Sequence, residues 1–368
     1  MAIKTIFYFW VMQKYKPYIL AFSGLIIIVI NQILRHYPEF VETYYSNGLY
    51  IVISRIMRYA FGWLPFSFGD IVYTLAIIYC LRWLLKHRKG ILKDTKQWLL
   101  DLLTGLSFAY IAFHILWAFN YYRQPLHIAL NINDSYSTDQ LIQTVDYLIS
   151  ETNSAYNLLN DNDTLKIDIP YSKKEILSKI PEGYERIKQT FPKLDYHPKS
   201  IKPSIYSTAL TYMGFSGYLN PFTNEAQVDI LIPKFKLPTT GSHEVAHQLG
   251  FAAENEANFI GGIVAMKHPD LYFQYSGKAF ALQHCLFELF RRDPEIFEIK
   301  KASINKGVLK NYEEVQDFWM SYQNPLEPFF AKTYDTFLKV NNQAKGMESY
   351  SYVVALFVNY FEAISTKP

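Results

Sequence analysis

The chain has 368 residues, of which 50% are hydrophobic and only 19% are charged, and the apolar residues are concentrated in three long runs near the N-terminus. This division predicts a membrane anchor followed by a globular domain. The formal charge of +3 is too small and too scattered for a nucleic-acid groove, and two cysteines provide no disulfide framework, so no nucleic acid and no nucleotide cofactor are expected as partners.

Three apolar runs are predicted to cross a lipid bilayer as helices, at residues 18–34, 66–85 and 102–119 of a membrane domain over residues 1–120. No small-residue cleavage site follows the first run, which favours an uncleaved anchor over a signal peptide. The third run is followed by Tyr121 and Tyr122, as is typical of the headgroup region. The alternative is that one run, most readily the second, is a buried helix of a soluble core.

The distribution of basic residues predicts the orientation of these spans. Lys4, Lys14 and Lys16 precede the first run, and five more basic residues lie between residues 86 and 96, whereas the other connection has fewer. By the positive-inside rule, the N-terminus and the second connection are cytoplasmic. The region after residue 120 is then external, and residues 47–63 form an external helix that lies in the membrane interface.

The remainder divides into two parts. Residues 121–200 are predicted to form a helical neck or the N-terminal part of the outer domain. Within them, residues 135–172 are polar and contain a predicted helix over residues 138–159, and a partly ordered spacer is the alternative there. In residues 201–368, the alternating segment AQVDILI predicts a strand over residues 226–232. The pattern after Thr240 is helical. The last apolar run is interrupted by Asn359 and Glu362, which indicates a packed helix and not a fourth span.

The segment GSHEVAHQLGFAAENEANF carries the strongest chemical signal. On a helix, His243 and His247 share a face and can bind one metal ion. Glu244 adjoins the first histidine and can accept a proton from a water molecule, as in H-E-x-x-H hydrolases. The pattern predicts one zinc ion as cofactor, and the alternative is a solvated polar helix face.

A catalytic zinc needs a third protein ligand and an open position for water. Gly250 can end the helix with a positive φ and turn the chain back towards the metal. The next helix then begins near Glu254, which is the preferred third ligand, with Asn258 placed to orient a ligand. Glu256 is the alternative ligand because helix starts are uncertain by a residue or two, and acids at that position can also merely complement the helix dipole.

These residues resemble the site of the gluzincin metallopeptidases, in which a Glu on a later helix is followed four residues on by an Asp; Asn258 stands at that position here. More widely, the chain is similar to a family of bacterial membrane proteins known only as a domain of unknown function. The matching segments are NGLY and GWLPFSFGDIVY in residues 47–73, NYYRQPL in residues 120–126, GFSGYLNPFTNEAQV in residues 214–228, and the H-E-x-x-H block.

The resemblance implies a fold of three transmembrane helices plus an α+β, mainly helical, zincin-like domain over residues 201–368. It also implies an edge strand that pairs with the substrate backbone, and the alternative is an ordinary structural strand. The residues expected in that strand are Gln227, Val228, Asp229 and Ile230. Candidates for stabilising an oxyanion are Tyr218, Tyr275 and His284.

The function expected from these features is hydrolysis of peptide bonds by a zinc-dependent metallopeptidase in a bacterial inner membrane, with the domain on the periplasmic or extracellular side. Its partners would be the bilayer and a peptide or protein substrate of the cell envelope. Two alternatives stay open: a non-catalytic zinc-containing sensor or scaffold, which has no need of Glu244, and a zinc hydrolase that acts on a cell-wall amide. A site within the bilayer is disfavoured because the H-E-x-x-H helix is polar and far along the chain from the apolar runs.

Overall fold

The computed structural model describes residues 15–343 and 350–365 and is mainly helical. The first part of the chain forms the helices α1 (Tyr15–Leu34), α2 (residues 38–61), α3 (Phe68–His87) and α4 (Thr95–Leu116). Of these, α1, α3 and α4 are long and apolar enough to cross a membrane. Lys4 and Lys14, which contribute to the predicted orientation, lie outside the described residues.

The third span begins earlier than its apolar run. The carboxylate of Asp94 accepts a hydrogen bond from the backbone N–H of Gln97 at 3.2 Å and caps α4 before the polar residues that precede the run. The helix ends at Leu116, and residues Ala118–Tyr122 continue as a 3₁₀ turn. Hydropathy therefore located the helix, whereas capping by Asp94 sets its start.

Two of the three membrane-length helices pack together, and in the described part of the chain α3 is held near its two ends. A Cβ atom at Gly24 of α1 would lie 3.0 Å from Ser107 Oγ of α4, and the Ser107 hydroxyl donates to the backbone oxygen of Ala21 at 2.6 Å. In contrast, the buried residues of α3 are Gly69 and Asp70, both in its first turn. At the other end of α3, the ring of Trp83 lies 5.7 Å from that of Trp98 in α4.

Helix α2 joins the membrane part to the globular part. Its middle, Val41–Leu49, is π-helical. One face buries Tyr50, whose hydroxyl donates to the backbone oxygen of Gln248 at 2.9 Å. The opposite face leaves Ile56 and Tyr59 about 60% exposed. An exposed apolar face suits the interfacial helix expected over residues 47–63, which stays a prediction.

The globular part contains eleven further helices within the described residues. These are α5 (Leu126–Leu130), α6 (Thr138–Leu159), α7 (Lys173–Ile187), α8 (Ser207–Met213), α9 (Leu237–Gln248), α10 (Glu254–Met266), α11 (Leu271–Arg292), α12 (Pro294–Lys301), α13 (Lys306–Ser321), α14 (Glu327–Val340) and α15 (Tyr350–Ser365). The helix predicted over residues 138–159 is confirmed, and Ser137 and Gln140 form its capping box.

One hydrophobic core contains residues from both 121–200 and 201–368, which were predicted to be separate parts. It contains Leu141 and Val145 of α6 together with Leu282 of α11, and it extends from Leu126 to Val358. Residues 121–200 are therefore packed into the globular part, and the spacer interpretation is wrong. Helix α15 buries Val354 and Phe357 in the same core, as expected of a packed helix.

A small sheet contains β1 (Ile201–Pro203), β2 (Gly217–Asn220) and β3 (Glu225–Val228) in the order β1-β3-β2. Strand β3 is parallel to β1 and antiparallel to β2, so both of its edges are paired. The prediction of a substrate-facing edge strand at Gln227, Val228, Asp229 and Ile230 is wrong for this reason. The strand also ends at Val228, because the Asp229 carboxylate accepts hydrogen bonds from the Thr211 hydroxyl and the Leu231 N–H.

Candidate metal centre

Two glycines bring the H-E-x-x-H helix and the following helix into close contact. Gly250 has a φ of 88°, as predicted, and ends the turn after α9 so that α10 can begin at Glu254. A Cβ atom at Gly261 of α10 would lie 2.9 Å from the backbone nitrogen of His243. The absence of that atom lets α10 cross α9 close to the histidines.

The crossing brings together three potential metal ligands, His243, His247 and Glu254, whose ligand atoms all lie within 4.8 Å of one another. His243 Nε2 is 3.3 Å from Glu254 Oε2, and His247 Nε2 is 3.5 Å from Glu254 Oε1. Two imidazoles and one carboxylate are the ligand set of one class of catalytic zinc sites. The residues present therefore fit the predicted cofactor.

The structure turns Glu256, the alternative third ligand, away from the histidines. Its Oε1 accepts a hydrogen bond from the backbone N–H of Leu126 at 2.6 Å. Burial raises the pKa of Glu256 to about 7, while Arg123 opposes this shift. Only one of the two acids can point at the histidines, because residues two apart on a helix face different directions.

Neighbouring groups orient the ligands. His247 Nδ1 lies 2.7 Å from the backbone oxygen of Phe251, and a proton on Nδ1 leaves the Nε2 lone pair directed at the cluster. The hydroxyl of Tyr334 donates to Glu254 Oε1 at 2.5 Å. Burial lowers the pKa of His247, but the adjacent Glu254 carboxylate outweighs it and raises that pKa to about 9. The cluster therefore favours a positive charge at its centre.

Glu244 is suited to proton transfer. Its side chain is buried, and Oε2 has no hydrogen-bond partner in the described part of the chain. Burial raises the pKa of Glu244 to about 7, although both histidines lower it. Strand β2 passes close by, since a Cβ atom at Gly217 would lie 2.7 Å from Glu244 Oε1. A carboxyl group with a pKa near neutrality can both accept and donate a proton.

A cavity of about 1120 Å³ opens from the cluster. Its walls come from α9, α10 and β2, and also from the membrane helices α3 and α4. At the end of α4, the Trp117 indole N–H donates to the backbone oxygen of His247 at 3.1 Å. The expectation that the H-E-x-x-H helix is remote from the apolar runs is therefore wrong, because folding places the end of the third span against it.

The remaining predicted residues have different positions. Asn258 lines the cavity, but among the described residues its side chain makes no hydrogen bond to the cluster. Tyr218 also lines the cavity, and its hydroxyl donates to Asp70 Oδ1. Tyr275 and His284 do not line the cavity: the Tyr275 hydroxyl donates to Asn311 Oδ1 at 2.8 Å, and the His284 ring packs on Phe280. Tyr275 is therefore not positioned as an oxyanion donor, whereas that role for His284 stays a prediction.

Sequence reasoning missed two cavity residues, Tyr334 and Lys236. Tyr334 is 80 residues beyond Glu254 and is one of 30 tyrosines, so no local pattern distinguishes it. Lys236 immediately precedes α9. Burial lowers the pKa of Lys236, and no acidic side chain pairs with it within the described ranges. It places an amino group at the polar end of the cavity.

The Tyr334 hydroxyl is expected to support metal binding through Glu254. Replacing Tyr334 with Phe should weaken zinc binding by about 10–100-fold, the usual effect of removing a hydrogen bond to a ligand. Competition with a chelating dye measures the dissociation constant. Tyr212→Phe, on the half-exposed Tyr212, is the matched control and should leave it unchanged. Equal zinc affinity in Tyr334→Phe and the wild type would contradict this role.

Comparison with known proteins gives the chain a family but no characterised relative. No curated protein and no solved structure matches the chain. The family described as "Protein of unknown function (DUF3810)" has a sequence model that matches residues 45–358. The matched region contains α3, α4, the sheet and all residues of the candidate metal centre. The chain therefore belongs to the DUF3810 family of proteins of unknown function.

Proposed function

We propose that this protein is a membrane-anchored, zinc-dependent metallopeptidase with a zincin-like catalytic domain. One observation carries the proposal: His243, His247 and Glu254 converge beside a buried Glu244 at the end of a large cavity. A zinc-binding scaffold without catalysis needs only the three ligands. Glu244 favours an enzyme, because its pKa is raised and its Oε2 has no hydrogen-bond partner among the described residues.

The proposed reaction uses the groups in the following way. His243, His247 and Glu254 would hold a zinc ion, which would supply Lewis acidity that favours deprotonation of water and polarises a carbonyl group. Glu244 accepts a proton from the attacking water and delivers it to the nitrogen of the leaving amine. The water oxygen forms a bond to the carbonyl carbon, and the C–N bond breaks.

Strand β2 replaces β3 as the strand that positions the substrate. It pairs with β3 on one side only, and its residues Gly217, Tyr218 and Leu219 line the cavity. An extended peptide can add to such an edge through backbone hydrogen bonds. The close approach of Gly217 to Glu244 would then place the peptide beside the proton acceptor.

We also propose that the globular part faces the outside of the bacterial inner membrane. The connection between α3 and α4 lies at the ends of these helices that are distant from the globular part. It contains Lys89 and Lys93, and Lys86 lies just before it. By the positive-inside rule that connection is cytoplasmic. The substrate is then a peptide or protein of the cell envelope.

Metal removal tests the proposal. The full chain, purified in detergent with zinc, should cleave members of a random peptide library, and mass spectrometry identifies the products. Treatment with 1,10-phenanthroline should abolish cleavage, and added Zn²⁺ should restore it where Mg²⁺ does not. Cleavage that survives the chelator would contradict a zinc-dependent reaction, as would zinc-loaded protein that cleaves no peptide.

A further inference from the structure

The cavity at the candidate metal centre continues between two membrane-spanning helices. Its walls include Tyr73 and Ile77 of α3 and Leu106, Ala109 and Phe113 of α4. We name this part the membrane slot and define it by these five residues. Ile77 and Leu106 are more than half exposed, so the slot is open to the hydrocarbon that surrounds the spans.

The depth of the membrane slot is limited. Ile77 and Leu106 each lie about ten residues from the end of their helix nearest the globular part, or roughly 15 Å at 1.5 Å per residue. This is about half of the ~30 Å hydrocarbon thickness. At the far ends, contact between Trp83 and Trp98 brings α3 and α4 together. The slot therefore spans one leaflet, on the side of the globular part.

This geometry distinguishes between possible occupants. A transmembrane helix of a protein substrate would need a gap across the whole bilayer, which the contact of Trp83 with Trp98 prevents. A single hydrocarbon chain needs only one leaflet. It can enter sideways while the group attached to it remains at the polar end of the cavity, near Glu244 and Lys236.

We propose that the substrate is a lipid-anchored peptide, whose acyl chain occupies the membrane slot while its peptide part lies along β2 beside Glu244. A peptide is favoured over an ordinary membrane lipid because the edge of β2 adjoins the slot and offers backbone hydrogen bonds. This inference rests on the proposed peptidase function and adds its substrate class. The bond that breaks is a peptide bond of the anchored substrate, by the hydrolysis given above.

A photocrosslinking experiment on the full chain in detergent tests acyl recognition independently of hydrolysis. The probe is an N-palmitoyl peptide with a diazirine in its acyl chain. We expect crosslinks to residues of the membrane slot, which excess unlabelled palmitoyl peptide removes and the same peptide without the acyl chain does not. Ala109→Trp and Leu106→Trp should each lower crosslinking at least tenfold by filling the slot.

The control is Leu81→Trp, at an exposed position of α3 that does not line the cavity. Crosslinking should persist in it, and zinc content and melting temperature should match the wild type in all three variants. Unchanged crosslinking in both slot variants would overturn the inference. Equal competition by dipalmitoyl phosphatidylglycerol would also overturn it, because the slot would then be a general lipid groove.

Hydrolysis assays distinguish a failure of the acyl-chain inference from a failure of the proposed peptidase function. If both hold, the palmitoyl peptide is cleaved with at least a tenfold higher kcat/KM than the same peptide without the acyl chain. Equal cleavage of the two peptides would leave the peptidase function intact and refute the acyl preference. Specific crosslinking of a zinc-loaded chain that cleaves neither peptide would refute the peptidase function and leave acyl recognition standing.

Discussion

Replacing Glu244 with Gln should reduce peptide hydrolysis by at least about 10²–10⁴-fold, the contribution typical of a positioned general acid–base group. Glutamine has nearly the same shape but cannot accept the proton of the attacking water. The loss should appear in kcat, measured on a peptide that the wild-type chain cleaves. Zinc content should not change, because Glu244 is not one of the three clustered ligands.

Glu256→Gln is the matched control for this substitution. Glu256 is also buried, and burial likewise raises its pKa to about 7, but its carboxylate contacts the Leu126 N–H outside the cavity. A glutamine oxygen can accept the same hydrogen bond, so hydrolysis should persist. Hydrolysis that survives in Glu244→Gln would contradict the assignment of Glu244 as the proton acceptor.

The second large effect is expected at the joint between the sheet and the membrane. Glu225 of β3 is fully buried and forms an ion pair with Lys202 of β1 at 2.8 Å. Its carboxylate also accepts hydrogen bonds from the backbone N–H groups of Phe68 and Gly69, at the start of α3. One buried carboxylate therefore ties the membrane-length apolar helix α3 to the sheet beside the candidate metal centre.

Lys202→Met should destabilise the protein by about 3–5 kcal/mol, because it leaves a buried carboxylate without its counter-charge. Thermal unfolding in detergent, followed by tryptophan fluorescence, measures the change as a lower melting temperature. Adding Glu225→Gln should restore part of the loss because it removes the buried charge, although its one amide oxygen can keep only one of the two N–H contacts that the separate carboxylate oxygens make.

Lys166→Met provides the comparison for an exposed ion pair. Lys166 pairs with Glu314, but both side chains are substantially exposed, so this change should cost only about 0–1 kcal/mol. If Lys202→Met lowered the melting temperature no more than Lys166→Met does, the ion pair of Lys202 with Glu225 would not hold the joint together.

Local patterns were enough to predict the helical parts of the site. The spacing of His243 and His247 is a property of one helix, and the turn at Gly250 follows from the φ that glycine can adopt. The start of α10 at Glu254 then fixes which acid faces the histidines. The three membrane-length helices were also predictable, because a long apolar run is recognised from its own residues alone.

Contacts between distant segments were not predictable in this way. The predicted strand around Val228 is present, but the sequence does not reveal that β1 and β2 pair with its two edges. The hydrogen bonds that Tyr334 and Trp117 make at the candidate metal centre join positions about 80 and 130 residues apart. A side chain that could bond to several partners does not indicate in the sequence which partner it contacts. The membrane slot could therefore be recognised only in the folded chain.

The metal content of the purified full chain tests the central claim most directly. Elemental analysis after dialysis against zinc should give about one zinc per chain, as in a mononuclear site with three protein ligands. The zinc should be lost in His243→Ala and in Glu254→Ala, and retained in Glu256→Gln. A wild-type chain without zinc would contradict the account, and so would a His243→Ala variant that binds zinc as the wild type does.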